Sequence, residues 1–238
     1  MKILLYVLVV VGLYLLYEGC RFAYKIHIAK GLSETATRFE KHADTDTGVS
    51  ILVLGDSTAV GVGSTRGESV PGYLAEYLGA THVENYAVSG ALTSDLARQR
   101  AMAMRTQYDV VLIQIGANDI IRFVAIDEAI ERIATTVRVL KDQSKDVYVL
   151  TAGDIGASIL FPWFVRPLYH ARTLEYHKKV EGAIAKAGGV YVNLYTVPQK
   201  DVFVLDPDHY FAPDGLHPSA LGYKEWFSVL QATIESQN

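Results

Sequence analysis

The 238-residue chain holds one cysteine, Cys20, which excludes a disulfide within the chain and a cysteine-rich metal site. A block of positive charge is missing as well. Lys and Arg number 22 against 26 Asp and Glu, a formal net charge of −4, so the electrostatic footprint of a nucleic-acid-binding protein is absent. No internal repeat or low-complexity tract interrupts the chain. No Gly-Lys-Ser/Thr sequence follows Gly61-Val62-Gly63-Ser64-Thr65-Arg66-Gly67, so this is not a phosphate-binding loop, and its glycines are misspaced for a dinucleotide fingerprint. Ala59 stands two residues after Ser57, where the nucleophile elbow of an α/β-hydrolase needs glycine.

What is present is apolar. Hydrophobic residues make up 50% of the chain, ample for one substantial core in a length too short for two comfortable ones. Ile3 to Tyr17 is an unbroken apolar stretch, preceded by Lys2 and followed by Glu18 and Arg21. Fifteen residues fall short of the roughly 20 that span a bilayer comfortably. Phe22, Ala23 and Tyr24 extend the stretch if Arg21 snorkels and Tyr17 and Tyr24 sit at the interface. Tyr17-Glu18 is a poor end for a cleaved signal peptide, and the same pair disfavours lipoprotein processing at Gly19-Cys20. The expectation is an uncleaved single-pass anchor over residues 1–30 that holds the protein to a membrane through residues 3–17. Arg21, Lys25 and Lys30 outnumber Lys2, which favours a cytoplasmic domain by a margin too narrow to assign the side. Residues 31–49 are polar without apolar periodicity and read as a tether or an irregular first helix.

From residue 50 to the end, strand-like and helix-like segments alternate. Candidate strands are Ile51 to Leu54, Val83 to Val88, Val110 to Ile115, Val147 to Thr151 and Val190 to Leu194. Helical spacing marks Ile126, Ile130, Ile133, Val137 and Leu140; a further helix is expected over about 169–187. The last begins after Ser219, with Tyr223, Phe227, Leu230 and Ile234 on one face. This alternation predicts an α/β domain, a three-layer α/β/α sandwich around a flavodoxin-like parallel sheet of about five strands. Ligands of such sheets sit beyond the carboxyl ends of the strands.

The residues standing at those ends form an unusual set. Gly55-Asp56-Ser57 follows the first strand, Ser89-Gly90 the second and Gly116-Ala117-Asn118-Asp119 the third. Past the fifth lies Asp214-Gly215-Leu216-His217-Pro218. Acyl transfer by serine needs a base, a group that orients the base, and donors for the oxyanion. The first three loops can each supply a donor, and the last supplies a base with a carboxylate three residues before it. Plainer roles exist for each: Ser57 suits a helix N-cap, and Asn118 a turn that bonds its own backbone. Asp56 and Asp119 suit loop-holding carboxylates. Asp206, Asp208 and His209 suit a turn around Pro207 better than a metal site or an alternative acid.

Together the four segments resemble the SGNH hydrolases, the GDSL esterase/lipase family, whose blocks carry Ser, Gly, Asn and His in this order. Thr58 stands where the family often has Leu, and the apolar N-terminus and tether lie outside the resemblance. The resemblance implies a serine esterase acting on carboxylic esters (acyl or O-acetyl groups of small molecules, lipids or glycans) without metal or cofactor. It implies Ser57 as nucleophile, His217 as base and then acid, and Asp214 as the residue orienting His217. The implied oxyanion hole is the backbone N–H of Ser57 and Gly90 with the Asn118 amide. Two other functions suit the same scaffold: an acyltransferase, and a non-catalytic module binding acylated glycan or lipid. Oligomeric state is not legible. Ile155 to Leu168, rich in Ile, Phe and Trp, is expected to cover the core or else to line an acyl pocket or rest on a membrane.

Overall fold

The structure, a computed structural model, describes residues 2–43 and 47–237. Residues 44–46 of the expected tether lie outside them. The chain opens with one continuous helix, α1 (Lys2–Thr35), at about 1.5 Å per residue some 50 Å long. Nothing in its sequence stops it, because the first proline of the chain is Pro71. α1 therefore crosses the expected boundary at residue 30 and runs five residues into the stretch read as tether. After it, Lys41 pairs antiparallel with Val83 through N–H···O bonds of 3.2 and 2.7 Å.

Five strands follow: β1 (Ser50–Gly55), β2 (His82–Asn85), β3 (Tyr108–Gln114), β4 (Ser144–Leu150) and β5 (Val190–Val192). All pair in parallel, in the order β2-β1-β3-β4-β5. The helices among them are α2 (Ser57–Val60), α3 (Val70–Tyr77), α4 (Leu96–Arg100), α5 (Ala117–Ile121), α6 (Ile126–Lys141) and α7 (Arg166–Lys186). After β5 come α8 (Val202–Leu205), α9 (Pro207–Tyr210) and α10 (Ala220–Glu235). Alternate residues of β1 feed opposite cores, as strand geometry requires. Ile51 and Val53 pack with Val70, Leu74, Tyr223 and Leu230 on the side of α3 and α10. Leu52 and Leu54 pack with Ile130, Ile133, Val180 and Ile184 on the side of α6 and α7. Both faces of the sheet are thus covered, giving the three-layer sandwich expected of an all-parallel sheet.

β2 stops at Asn85, three residues short of the expected Val88. Asn85 turns the chain itself: its Nδ2 donates to Ala59 O at 3.0 Å and its Oδ1 accepts from Ala87 N at 3.0 Å. Within 155–168, Ile155, Leu160 and Phe161 are buried in the core while Trp163, Phe164 and Leu168 are exposed.

Candidate active site

β1 has neighbours on both sides whose chain connections diverge, so the crevice at its carboxyl end is the switch point of the sheet. Gly55 closes the strand under tight constraint: a Cβ there would lie 2.1 Å from Gln114 O, so no side chain fits. The Gln99 amide holds the same residue from the other side, accepting from Gly55 N and donating to Gly55 O, both at 2.8 Å. Asp56 then caps α2, its Oδ1 accepting from Thr58 N at 2.9 Å and Thr58 Oγ1 at 2.8 Å. Ser57 is the first residue of α2, where the backbone N–H has no partner within the helix.

The opposite wall is a turn locked by its own carboxylate. Asp214 Oδ1 accepts from Leu216 N (2.9 Å) and His217 N (3.0 Å), while Oδ2 meets His217 Nδ1 at 2.5 Å. The other ring nitrogen, His217 Nε2, lies 2.9 Å from Ser57 Oγ. Ser57 and His217 are each 7% exposed and Asp214 is 0% exposed, so the line of three runs from the interior to a surface opening. Burial raises the Asp214 carboxyl, but bonds from the His217 ring and from two backbone N–H groups outweigh it and hold the group below the usual carboxylate range. The turn is pressed close to the loop after α2. Gly63, at φ +101°, would place a Cβ 2.4 Å from Pro218 O, so that approach requires glycine.

Gly90 and Asn118 complete the ring. Gly90 has φ +82°, a conformation glycine adopts without strain. Asn118 Nδ2 donates to Ala91 O at 3.1 Å, which orients the amide and leaves it a second N–H to donate, and the residue lines the cavity. Asp119 ties the two loops together by accepting from Thr93 N (3.0 Å) and Thr93 Oγ1 (2.8 Å). Burial raises its pKa against those donors. Asp56 is raised to about 6, chiefly by burial: among the described residues its Oδ2 has no hydrogen-bond partner.

Ser57, Gly90, Asn118 and His217 all line one cavity of about 360 Å³, whose far walls include Phe203 and Trp226. Asp214 is the one predicted site residue that does not reach it; it stands behind His217. The Asp206–His209 pair lies apart on the exposed α9 turn. Among the described residues, no group of three or more His, Cys, Asp or Glu is placed to hold a metal.

Sequence reasoning missed a wall of this cavity. Ile26, Ala29, Lys30 and Ser33 of α1 line it. The signal was available: positions 26, 29, 30 and 33 follow the i, i+3, i+4, i+7 spacing of one helix face.

A model of the GDSL-like Lipase/Acylhydrolase family matches residues 53–225. A GDSL-like esterase of Mycobacterium tuberculosis is 33% identical over 184 residues, covering 74% of this chain and 58% of that protein. The chain thus spans little more than half the length of that relative. Among solved structures, TesA superposes with a TM-score of 0.61 at 19% identity, over 79% of this chain and 98% of the other. A catalytic mutant of an acetylxylan esterase from Geobacillus stearothermophilus does so with a TM-score of 0.59 at 18% identity, over 81% and 96%. These two likenesses are of fold.

Proposed function

We propose that this chain, which belongs to the GDSL-like lipase/acylhydrolase family, is an ester hydrolase with Ser57, His217 and Asp214 as its catalytic triad. The observation that carries this reading is the unbroken contact line from Asp214 Oδ2 through the His217 ring to Ser57 Oγ at the wall of the cavity. Ser57 Oγ attacks the ester carbonyl as His217 Nε2 takes its proton. Asp214, held ionised, fixes the ring so that Nε2 faces the serine, and it stabilises the imidazolium that forms. The oxyanion is received by the N–H groups of Ser57 and Gly90 and the Asn118 amide. His217 then protonates the departing alcohol, leaving an acyl-serine that water cleaves by the reverse sequence.

The substrate is a carboxylic ester, and α1 holds the enzyme to a membrane through residues 3–17. This anchor reading is supported by an α1 mean hydropathy of 2.1 over its most apolar window and by the exposure of Ile3 to Tyr17 on every side. Retention of the helix, rather than its cleavage as a signal, is supported by its contacts further on. Arg21 donates to Ile159 O at 2.6 Å, and Lys25 Nζ to Pro213 O at 3.3 Å.

The test is hydrolysis of a short-to-long p-nitrophenyl ester series by wild type and Ser57→Ala, with fluorophosphonate labelling of both. Turnover and labelling by wild type alone support the triad; equal turnover by the two proteins overturns it. Added alcohol separates the acyltransferase alternative, which would yield a new ester in place of free acid. Alkaline carbonate extraction followed by N-terminal sequencing tests the anchor, which is overturned by a soluble protein lacking residues 3–17.

A further inference from the structure

We infer that residues 26–33 of α1 are part of the substrate-binding site, the wall against which the acyl chain of a bilayer-borne ester lies once its carbonyl reaches Ser57. This rests on the esterase and anchor readings above and assigns the membrane helix a second role, in specificity. Ile26, Ala29 and Ser33 stand along two turns of one helix face, and that face lines the same cavity as Ser57 and His217. The wall is held in register from both ends. On the membrane side, Phe22 meets the Phe161 ring at 6.4 Å, and Arg21 and Lys25 bond the backbones of the 159–160 and 213 segments. On the other side, Leu32 and Ala36 pack into the core shared with β1.

Position along the helix argues for delivery from the bilayer. Ile26 follows Tyr17 by nine residues, about 13 Å of helix at 1.5 Å per residue. The polar layer on each side of a bilayer is itself about 5–8 Å deep. A cavity whose wall begins at Ile26 therefore opens a few ångströms beyond the headgroups. Trp163 and Phe164, 67% and 45% exposed, stand just past Pro162 from Phe161 and its contact with α1; such aromatics suit a membrane interface. The chemistry of the remaining walls favours a hydrocarbon chain over a sugar, since Ile155, Leu194, Phe203 and Trp226 contribute apolar surface. The two carboxylates that also line it are already engaged. Asp154 Oδ2 holds His170 Nδ1 at 2.8 Å, and Asp201 Oδ1 accepts from Phe203 N at 2.9 Å.

The experiment uses the full chain in phosphatidylcholine vesicles, with p-nitrophenyl acetate in solution and p-nitrophenyl palmitate in the bilayer. Ser33→Trp fills the wall near its far end and Ile26→Trp near the membrane end, so a folding failure in one leaves the other to decide. The expected result is a fall of at least tenfold in the palmitate-to-acetate ratio of kcat/KM. An unchanged ratio in the folded variants overturns the inference, as does a wild type that cleaves acetate and ignores palmitate; both outcomes leave the triad standing. Equal activity of Ser57→Ala and wild type instead removes the reading beneath it.

Discussion

Two turns of this protein carry the same Asp-x-x-His spacing, and in both the carboxylate meets histidine Nδ1: at 2.5 Å between Asp214 and His217, at 2.8 Å between Asp206 and His209. Everything else differs. The side chains of Asp214 and His217 are 0% and 8% exposed, those of Asp206 and His209 51% and 74%. The first pair has its second ring nitrogen on Ser57 Oγ, and its carboxylate also clamps the backbone of its own turn. The second pair stands in water, where an ion pair contributes little and is screened by salt. The Asp206 carboxylate raises the His209 pKa and has no nucleophile to serve. Spacing makes an acid–imidazole contact; burial and the third partner turn it into a candidate for chemistry.

Replacing the histidines one at a time should widen that contrast most. His217→Ala is expected to lower kcat for a p-nitrophenyl ester by about 10⁴-fold or more, whereas His209→Ala should stay within about twofold, as an exposed substitution does. Comparable losses in both would erase the distinction. Next, Asp214→Asn keeps the shape of the turn and removes the charge facing imidazolium. A loss of about 10³–10⁴-fold in kcat is expected, with the far-ultraviolet circular dichroism of wild type; Asp206→Asn gives the control. Asn118→Ala leaves the proposed acid and base in place and deletes one proposed oxyanion donor, for an expected loss of about 10²–10³-fold in kcat with KM little altered.

The smallest effect sharpens the lesson about burial. Asp56 is as buried as Asp214 but lacks an imidazole bonded to its carboxylate, and its pKa is raised to about 6 instead of lowered. A carboxyl with a folded pKa above its unfolded value binds protons more readily in the native state, so its contribution to stability falls as pH rises from about 4 to about 6 and is level beyond. A rise of that size in the pKa makes the full change about 3 kcal/mol. Asp56→Asn, which retains an oxygen for Thr58, should remove that fall. Urea denaturation of both proteins across pH 4–8 checks it: a wild-type minus variant difference that does not change with pH would refute the assignment.

Much of this was legible before the fold was known. The four aliphatic residues before Gly55 announce a buried strand, and the residues after each strand end are few enough to be read as a set. The extent of β2 was not, because what stops it is a side-chain bond from Asn85 to Ala59, twenty-six residues away. Nor was the part played by the second half of α1. Its helical stripe at Ile26, Ala29 and Ser33 is visible in the sequence, but its counterpart is a cavity assembled from loops that the sequence scatters from Ser57 to Trp226. Long-range docking of a helix leaves a pattern on one partner and nothing local on the other.

The bridge between Lys41 and Val83 bears on how the protein behaves when crowded. A border strand displays unpaired donors and acceptors that recruit strands from neighbouring molecules, the usual beginning of aggregates. Here β2 would be such a border, and the segment leaving α1 bridges it antiparallel at one residue, Val83, with a lysine, Lys41, at the contact. The far border, β5, is only three residues long. One flank is bridged at Val83 and the other is only three residues long, so each edge offers a short run of free backbone for growth from chain to chain.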